Sequence, residues 1–245
     1  MTRLKHYIQD ELISESINDK GIMKAVFLAG MPGSGKSYTI SKITDGAIEP
    51  RIVNTDKMLE FLKAFKAEEW FDVEDTVKRT TKNQLSFHLN SMLPLIIDGT
   101  SSKPSSLIRR NGILKSIGYD TSLVSIDVSL ETSIERTKKR HEQGGREVPD
   151  KVVRKIYKEL TGLKKYYSTE FSNFTEILND DGELIDKVVV QAYKKMSSFF
   201  NSPLKNPIGK HLIKDMEEKG QKYLIDTDDF DKQYLKKIVS NWYRK

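Results

Sequence analysis

Ala25-Val26-Phe27-Leu28-Ala29-Gly30-Met31-Pro32-Gly33-Ser34-Gly35-Lys36-Ser37-Tyr38 is the stretch on which the fold turns. Ala25 to Leu28 is a short continuous apolar run, the pattern of a parallel strand covered on both faces. From Gly30 the spacing is glycine, four residues, glycine, lysine, serine, and Ser37 to Ile43 read as a helix. The glycines let the backbone curl so that successive N–H groups point inward, and the helix brings its positive end to the same place. Such a turn is a cage for the β-phosphate of ATP. Gly30, Met31, Pro32, Gly33, Ser34, Gly35, Lys36, Ser37 and Tyr38 are therefore the expected nucleotide-binding residues. Lys36 reaches the β- and γ-phosphates as a point charge, and the Ser37 hydroxyl ligates magnesium. The competing reading is a chance glycine-rich turn. A clean strand before the loop, and lysine and serine directly after its last glycine, argue against it.

Outward from the loop, strands and helices alternate. Arg51 to Asn54 reads as a second strand, Asp56 to Ser91 as mainly helical, and Leu93 to Ile97 as a third strand running into Asp98-Gly99-Thr100. Ile108 to Ile117 is the next helix, Ser122 to Val128 a strand, Leu130 to His141 a helix. Val152, Val153, Ile156, Tyr157, Leu160 and Leu163 mark one more helix, and Thr175 to Leu178 a last strand before the turn Asn179-Asp180-Asp181-Gly182. This alternation predicts an α/β fold of three layers, helix, parallel sheet, helix, with right-handed crossovers. Residues 1–20 read as a helical lead-in, 21–180 as the phosphate-loop domain, and 181–245 as a basic, mostly helical extension broken at Pro203 and Pro207.

Composition narrows the chemistry. The chain has 245 residues, 37% of them hydrophobic, enough for one core plus an extension. With no cysteine, disulfides, thiolate metal sites and cysteine nucleophiles are excluded. The four histidines lack metal-ligand spacing. Forty-one basic against 35 acidic residues leave a net charge of +6, which suits an anionic partner such as nucleotide or nucleic acid. No segment has the apolar length of a signal peptide or a membrane span, so a soluble, cytoplasmic protein without membrane contact is expected.

Beside the loop, Asp56 follows the second strand at the edge of the sheet, where a phosphotransferase needs a base to orient the attacking hydroxyl. An aspartate there is equally a helix cap. Asp98 closes the third strand, a position suited to holding magnesium or its water, or else to an ordinary turn. Arg109 and Arg110 face either substrate or solvent. Arg136 and Arg140 are four apart and share a helix face, and Arg146 follows Gly144-Gly145. Together they suggest a lid that brings cations to the transferring phosphoryl and excludes water. The alternative is a solvated basic helix, since Lys138, Lys139 and His141 adjoin them.

Ala25–Gly30 with the loop after it, Asn54-Thr55-Asp56, Ile97-Asp98-Gly99-Thr100 and Arg136 to Pro149 resemble the zeta-toxin and polynucleotide-kinase group of P-loop kinases, from about Lys24 to Leu178. Compact phage kinases share this layout. The resemblance implies Asp56 as general base, Lys36 and Ser37 as ATP and magnesium residues, and Arg140 and Arg146 as phosphate-contacting lid arginines. In that group an arginine shortly after the aspartate helps hold the acceptor, whereas here Lys57-Met58-Leu59-Glu60 follow. The expectation is a kinase acting on a hydroxyl of a nucleic acid or nucleotide-like acceptor. Its competitors are a nucleotide-sugar kinase and an ATP-dependent assembly protein with no acceptor. In the extension, Lys194, Lys195, Phe199, Phe200, Lys205, Trp242 and Tyr243 either stack on and neutralise a nucleic acid strand or pack on the core.

Overall fold

A computed structural model describes residues 21–44, 51–53, 70–98, 103–144, 147–171, 173–180, 185–219, 237 and 240–242. Its centre is a five-stranded, wholly parallel sheet in the order β2-β3-β1-β4-β5. The strands are β1 (Lys24–Gly30), β2 (Arg51–Val53), β3 (Leu95–Asp98), β4 (Asp120–Asp127) and β5 (Asn173–Leu178). β1 occupies the middle and is buried along its whole length, as its uninterrupted apolar run requires. It pairs Leu28 with Asp98 of β3 on one side and Gly30 with Ile126 of β4 on the other. The loop after Gly30 thus leaves from the centre of the carboxyl edge.

The helices are α1 (Lys36–Thr44), α2 (Trp70–Asn90), α3 (Pro104–Ser116), α4 (Leu130–Glu142), α5 (Asp150–Glu170), α6 (Ile185–Asn201) and α7 (Pro207–Lys219). Alternate residues of each strand face opposite layers. Ala25, Phe27, Leu95, Ile97 and Leu123 meet Leu85 and Leu89 of α2, Leu107 and Leu114 of α3, and Val153, Leu160 and Tyr167 of α5. Val26, Leu28, Ile96, Val124 and Ile126 meet Ile40 and Ile43 of α1 and Val188, Ala192, Met196, Phe199 and Phe200 of α6. Three layers result, as expected.

Several boundaries differ from the sequence reading. α3 starts at Pro104 rather than Ile108, because proline suits the first turn of a helix, where no N–H is needed. β3 begins at Leu95: the preceding Leu93 amide is engaged by the His88 carbonyl in a turn. β4 begins at Asp120 and β5 at Asn173, where pairing extends the ladder through polar residues. The larger difference lies beyond residue 181. Phe199, Phe200 and Trp242, three aromatics with two open readings, are buried in the core and are not available to stack on a strand. The lead-in helix and Tyr243 fall outside the described residues.

Two long-range contacts bind the extension to the amino edge of the sheet. Lys24, only 2% exposed, donates from Nζ to the carbonyls of Phe199 and Ser202 and to Ser202 Oγ, closing the carboxyl end of α6. The Asp120 carboxylate accepts the amides of Lys205 and Asn206, while Asn206 Nδ2 donates to the carbonyls of Lys115 and Tyr119. α7 then meets the β4 approach backbone to backbone: a Cβ on Gly209 would lie 2.2 Å from the Gly118 carbonyl oxygen.

Candidate active site

The loop between β1 and α1 has the geometry its glycines predict. Gly30, Gly33 and Gly35 have φ of +142°, +75° and +91°, in the region that favours glycine. At Gly30 space demands glycine as well, because a Cβ would sit 2.1 Å from the Ile126 carbonyl oxygen of β4. Met31 is buried in the core and anchors the start of the loop, while Ser34 is fully enclosed. The amides of Lys36, Ser37 and Tyr38 head α1, where a helix leaves its first N–H groups without internal partners. Ser37 and Tyr38 are exposed at that positive end. The Tyr38 ring has the Lys42 ammonium 5.7 Å from its centre.

Lys36 is folded over the loop. Its Nζ donates to the carbonyls of Gly30 at 2.8 Å and Met31 at 2.7 Å, with Ser34 Oγ at 3.4 Å. Burial pushes its pKa down to about 8, and Arg140 pushes the same way, while Asp98 and Asp127 partly offset them. Asp98 stands at the end of β3, Asp127 at the end of β4, and Arg140 in the exposed last turn of α4. The charges of Asp98 and Arg140, singled out in sequence, act on Lys36 in opposite directions.

Asp127 was not anticipated. It sits at the carboxyl edge beside the loop, accepts a hydrogen bond from Ser125 Oγ at 2.9 Å, and pairs with Lys164 of α5 at 3.0 Å. Lys164 also reaches Glu176 of β5 at 2.6 Å. Burial raises the Asp127 carboxyl, against the lowering pull of Lys164 and Ser125, whereas Lys164 holds Glu176 below its ordinary value.

α4 crosses over the loop. Ser129 caps it by accepting the Thr132 amide, and Ser133, Arg136, Thr137 and Arg140 then fall on one face. Ser133 Oγ donates to the Pro32 carbonyl at 2.6 Å, and Arg136 reaches the carbonyls of Gly33 and Asp180, both at 3.4 Å. After the end of β5, Asn179 Nδ2 donates to the Ser34 carbonyl at 2.8 Å. Ser133 was legible in principle, one turn before Arg136; Asn179 was read only as a turn residue. Arg109 and Arg110 lie away from this cluster, with the Arg110 guanidinium 5.2 Å from the Trp242 ring and Arg109 donating to the Trp242 carbonyl. Asp56 and Arg146 lie outside the described residues.

The glycine cradle, the half-buried ammonium and the exposed helix end fit the polyphosphate of a nucleotide. Among the described residues no three histidine or acidic side chains gather into a metal site of the protein's own. No described helix is long and apolar enough to cross a membrane.

A parallel sheet in this order, with a phosphate loop after its central strand and a basic helix crossing that loop, defines a P-loop kinase. Residues 10–186 match the zeta toxin family, and the chain belongs to it. Two solved structures agree on the fold. A provisionally assigned kinase from Chloroflexus aurantiacus superposes with a TM-score of 0.55 at 14% identity, over 73% of this chain and 98% of that one. A chain from the PezAT chromosomal toxin–antitoxin system of Streptococcus pneumoniae gives 0.50 at 19%, over 82% and 97%. A chain of the Pnkp1/Rnl/Hen1 RNA repair complex gives 0.49 at 23%, over 62% of this chain, which spans 48% of that protein's length.

Proposed function

We propose that this protein transfers the γ-phosphate of ATP to a hydroxyl of a nucleic acid or nucleotide-like acceptor. The observation that carries the proposal is Lys36, an ammonium seated on the loop carbonyls of Gly30 and Met31 at the glycine-rich turn after β1. Ser37 and Asp98 would hold the magnesium ion of the nucleotide, which would neutralise part of the phosphate charge when bound. Asp56 accepts the proton of the acceptor hydroxyl as its oxygen bonds to the γ-phosphorus and the bond to the β-phosphate oxygen breaks, releasing ADP. Lys36, Arg140 and Arg146 stabilise charge on the transferring group, and the loop amides hold the phosphates in line. The net charge of +6 favours a polyanionic acceptor.

A second acceptor class, a nucleotide sugar, is favoured by membership of the zeta toxin family. Incubating the protein with γ-labelled ATP and, separately, 5′-hydroxyl DNA, RNA and nucleotide sugars distinguishes them. Label is expected on a nucleic acid, and Asp56→Asn is expected to cut transfer by about 100-fold or more. Label on the sugar alone would replace the acceptor. Label appearing only as orthophosphate with every acceptor, unchanged in Asp56→Asn, would replace the kinase by an ATP-dependent assembly protein.

A further inference from the structure

Three consecutive carbonyls of the phosphate loop are each tied from outside by a different side chain. Ser133 Oγ holds Pro32, Arg136 Nη1 holds Gly33, and Asn179 Nδ2 holds Ser34. In a trans peptide the carbonyl and the following N–H point in opposite directions. Drawing these oxygens outward, toward α4 and the end of β5, therefore turns the amides of Gly33 and Gly35 into the cradle, while the Ser34 amide closes the turn on the Met31 carbonyl at 3.2 Å. Without the ties from Ser133 and Asn179, the Pro32–Gly33 and Ser34–Gly35 peptide planes are free to rotate and present an oxygen to the phosphate.

Asn179 is built into its place more firmly than a turn residue needs. It is 1% exposed, its own amide donates to the Asp127 carbonyl at 2.7 Å, and its neighbour Asp180 accepts the Ser129 amide at the start of α4 and gives its carbonyl to Arg136. Asn179 Oδ1 has no hydrogen-bond partner among the described residues. The enclosed side chain thus holds its Nδ2 donor on the Ser34 carbonyl.

We propose that Asn179, with Ser133 and Arg136, is a positioning residue that presets the loop amides for phosphate. Because two of the three ties come from α4, loop and lid-bearing helix share one geometry, and Arg136 acts through the loop carbonyls. This rests on the loop being the phosphate site of the reading above. A preset loop lowers the cost of binding, and once ligand is bound the phosphate itself holds the amides in place. Loss of a tie therefore appears in binding and KM, and hardly in kcat.

The test is calorimetry of inorganic pyrophosphate and of ATP, each with magnesium, on the full chain, with ATP hydrolysis kinetics and the unfolding midpoint of the ligand-free protein. Asn179→Ala is expected to weaken pyrophosphate and ATP alike by roughly tenfold and to raise KM for ATP equally, with kcat within threefold and a folded ligand-free protein. Ser133→Ala, on a different loop carbonyl, is expected to weaken both ligands at least threefold, and it decides the matter should Asn179→Ala not fold. Wild-type affinity for pyrophosphate in the folded variants, or a fall in kcat with KM unchanged, overturns the proposal. A wild-type protein that binds pyrophosphate but phosphorylates no acceptor instead overturns the kinase reading and leaves the ties standing.

Discussion

Lys36 carries its proton at neutral pH, but with little to spare. Burial sets its pKa at about 8, and a bound triphosphate raises that value by favouring the charged form. Affinity for magnesium–ATP is therefore fully present below pH 8 and lost as pH rises through it, by up to roughly tenfold per unit. Lys36→Ala is expected to bind about 100-fold more weakly, with no such dependence over pH 7 to 9, as titration calorimetry will show. The sequence displayed Lys36 and its glycines openly, because their function depends on neighbours within eight positions. Ser133 and Asn179 stayed hidden: their partner carbonyls are 101 and 145 residues away, and a serine in a helix or an asparagine in a turn has ample local reason to exist.

Among the elements, α4 shows how one helix serves two ends. Its first turn is fixed by Ser129, which accepts the Thr132 amide, and its next turns reach the loop through Ser133 and Arg136. Ser129→Ala is expected to cost about 1 kcal/mol in urea unfolding and to weaken ATP binding by a smaller factor than Asn179→Ala, since the loop ties themselves remain. Helix type and order were readable from apolar spacing alone, and so was the parallel sheet. What each helix covers was not. Val188, Ala192, Met196 and Phe199 of α6 recur at helical intervals and announce an apolar stripe, yet periodicity does not say whether the stripe meets the sheet or a partner. Only the pairing of α6 with α1 against Val26, Leu28 and Ile96 makes it half of the second core layer.

For the molecule as a whole, pH acts on stability through groups far apart. Burial lowers both Lys24 and Lys36 from 10.5 to about 8, so between those values the unfolded chain binds more protons than the folded one, and stability rises with pH. Burial raises Tyr167 from 10.0 to about 12 and Tyr119 upward too, so above pH 10 the folded chain keeps protons the unfolded one sheds, and stability falls. The urea midpoint is expected to climb from pH 8 to 10 and turn over beyond; a steady decline from pH 8 would contradict these burials. At the amino edge, Gly118 and Gly209 meet with no room for a methyl group on either, 91 positions apart in sequence and on the side opposite Lys36. In a saturation mutagenesis screen scored by cell phenotype, both positions would tolerate almost nothing and be mistaken for machinery. Assays on purified material would tell the difference: any variant recovered there should turn over at the normal rate per folded molecule, and what diminishes is the harvest.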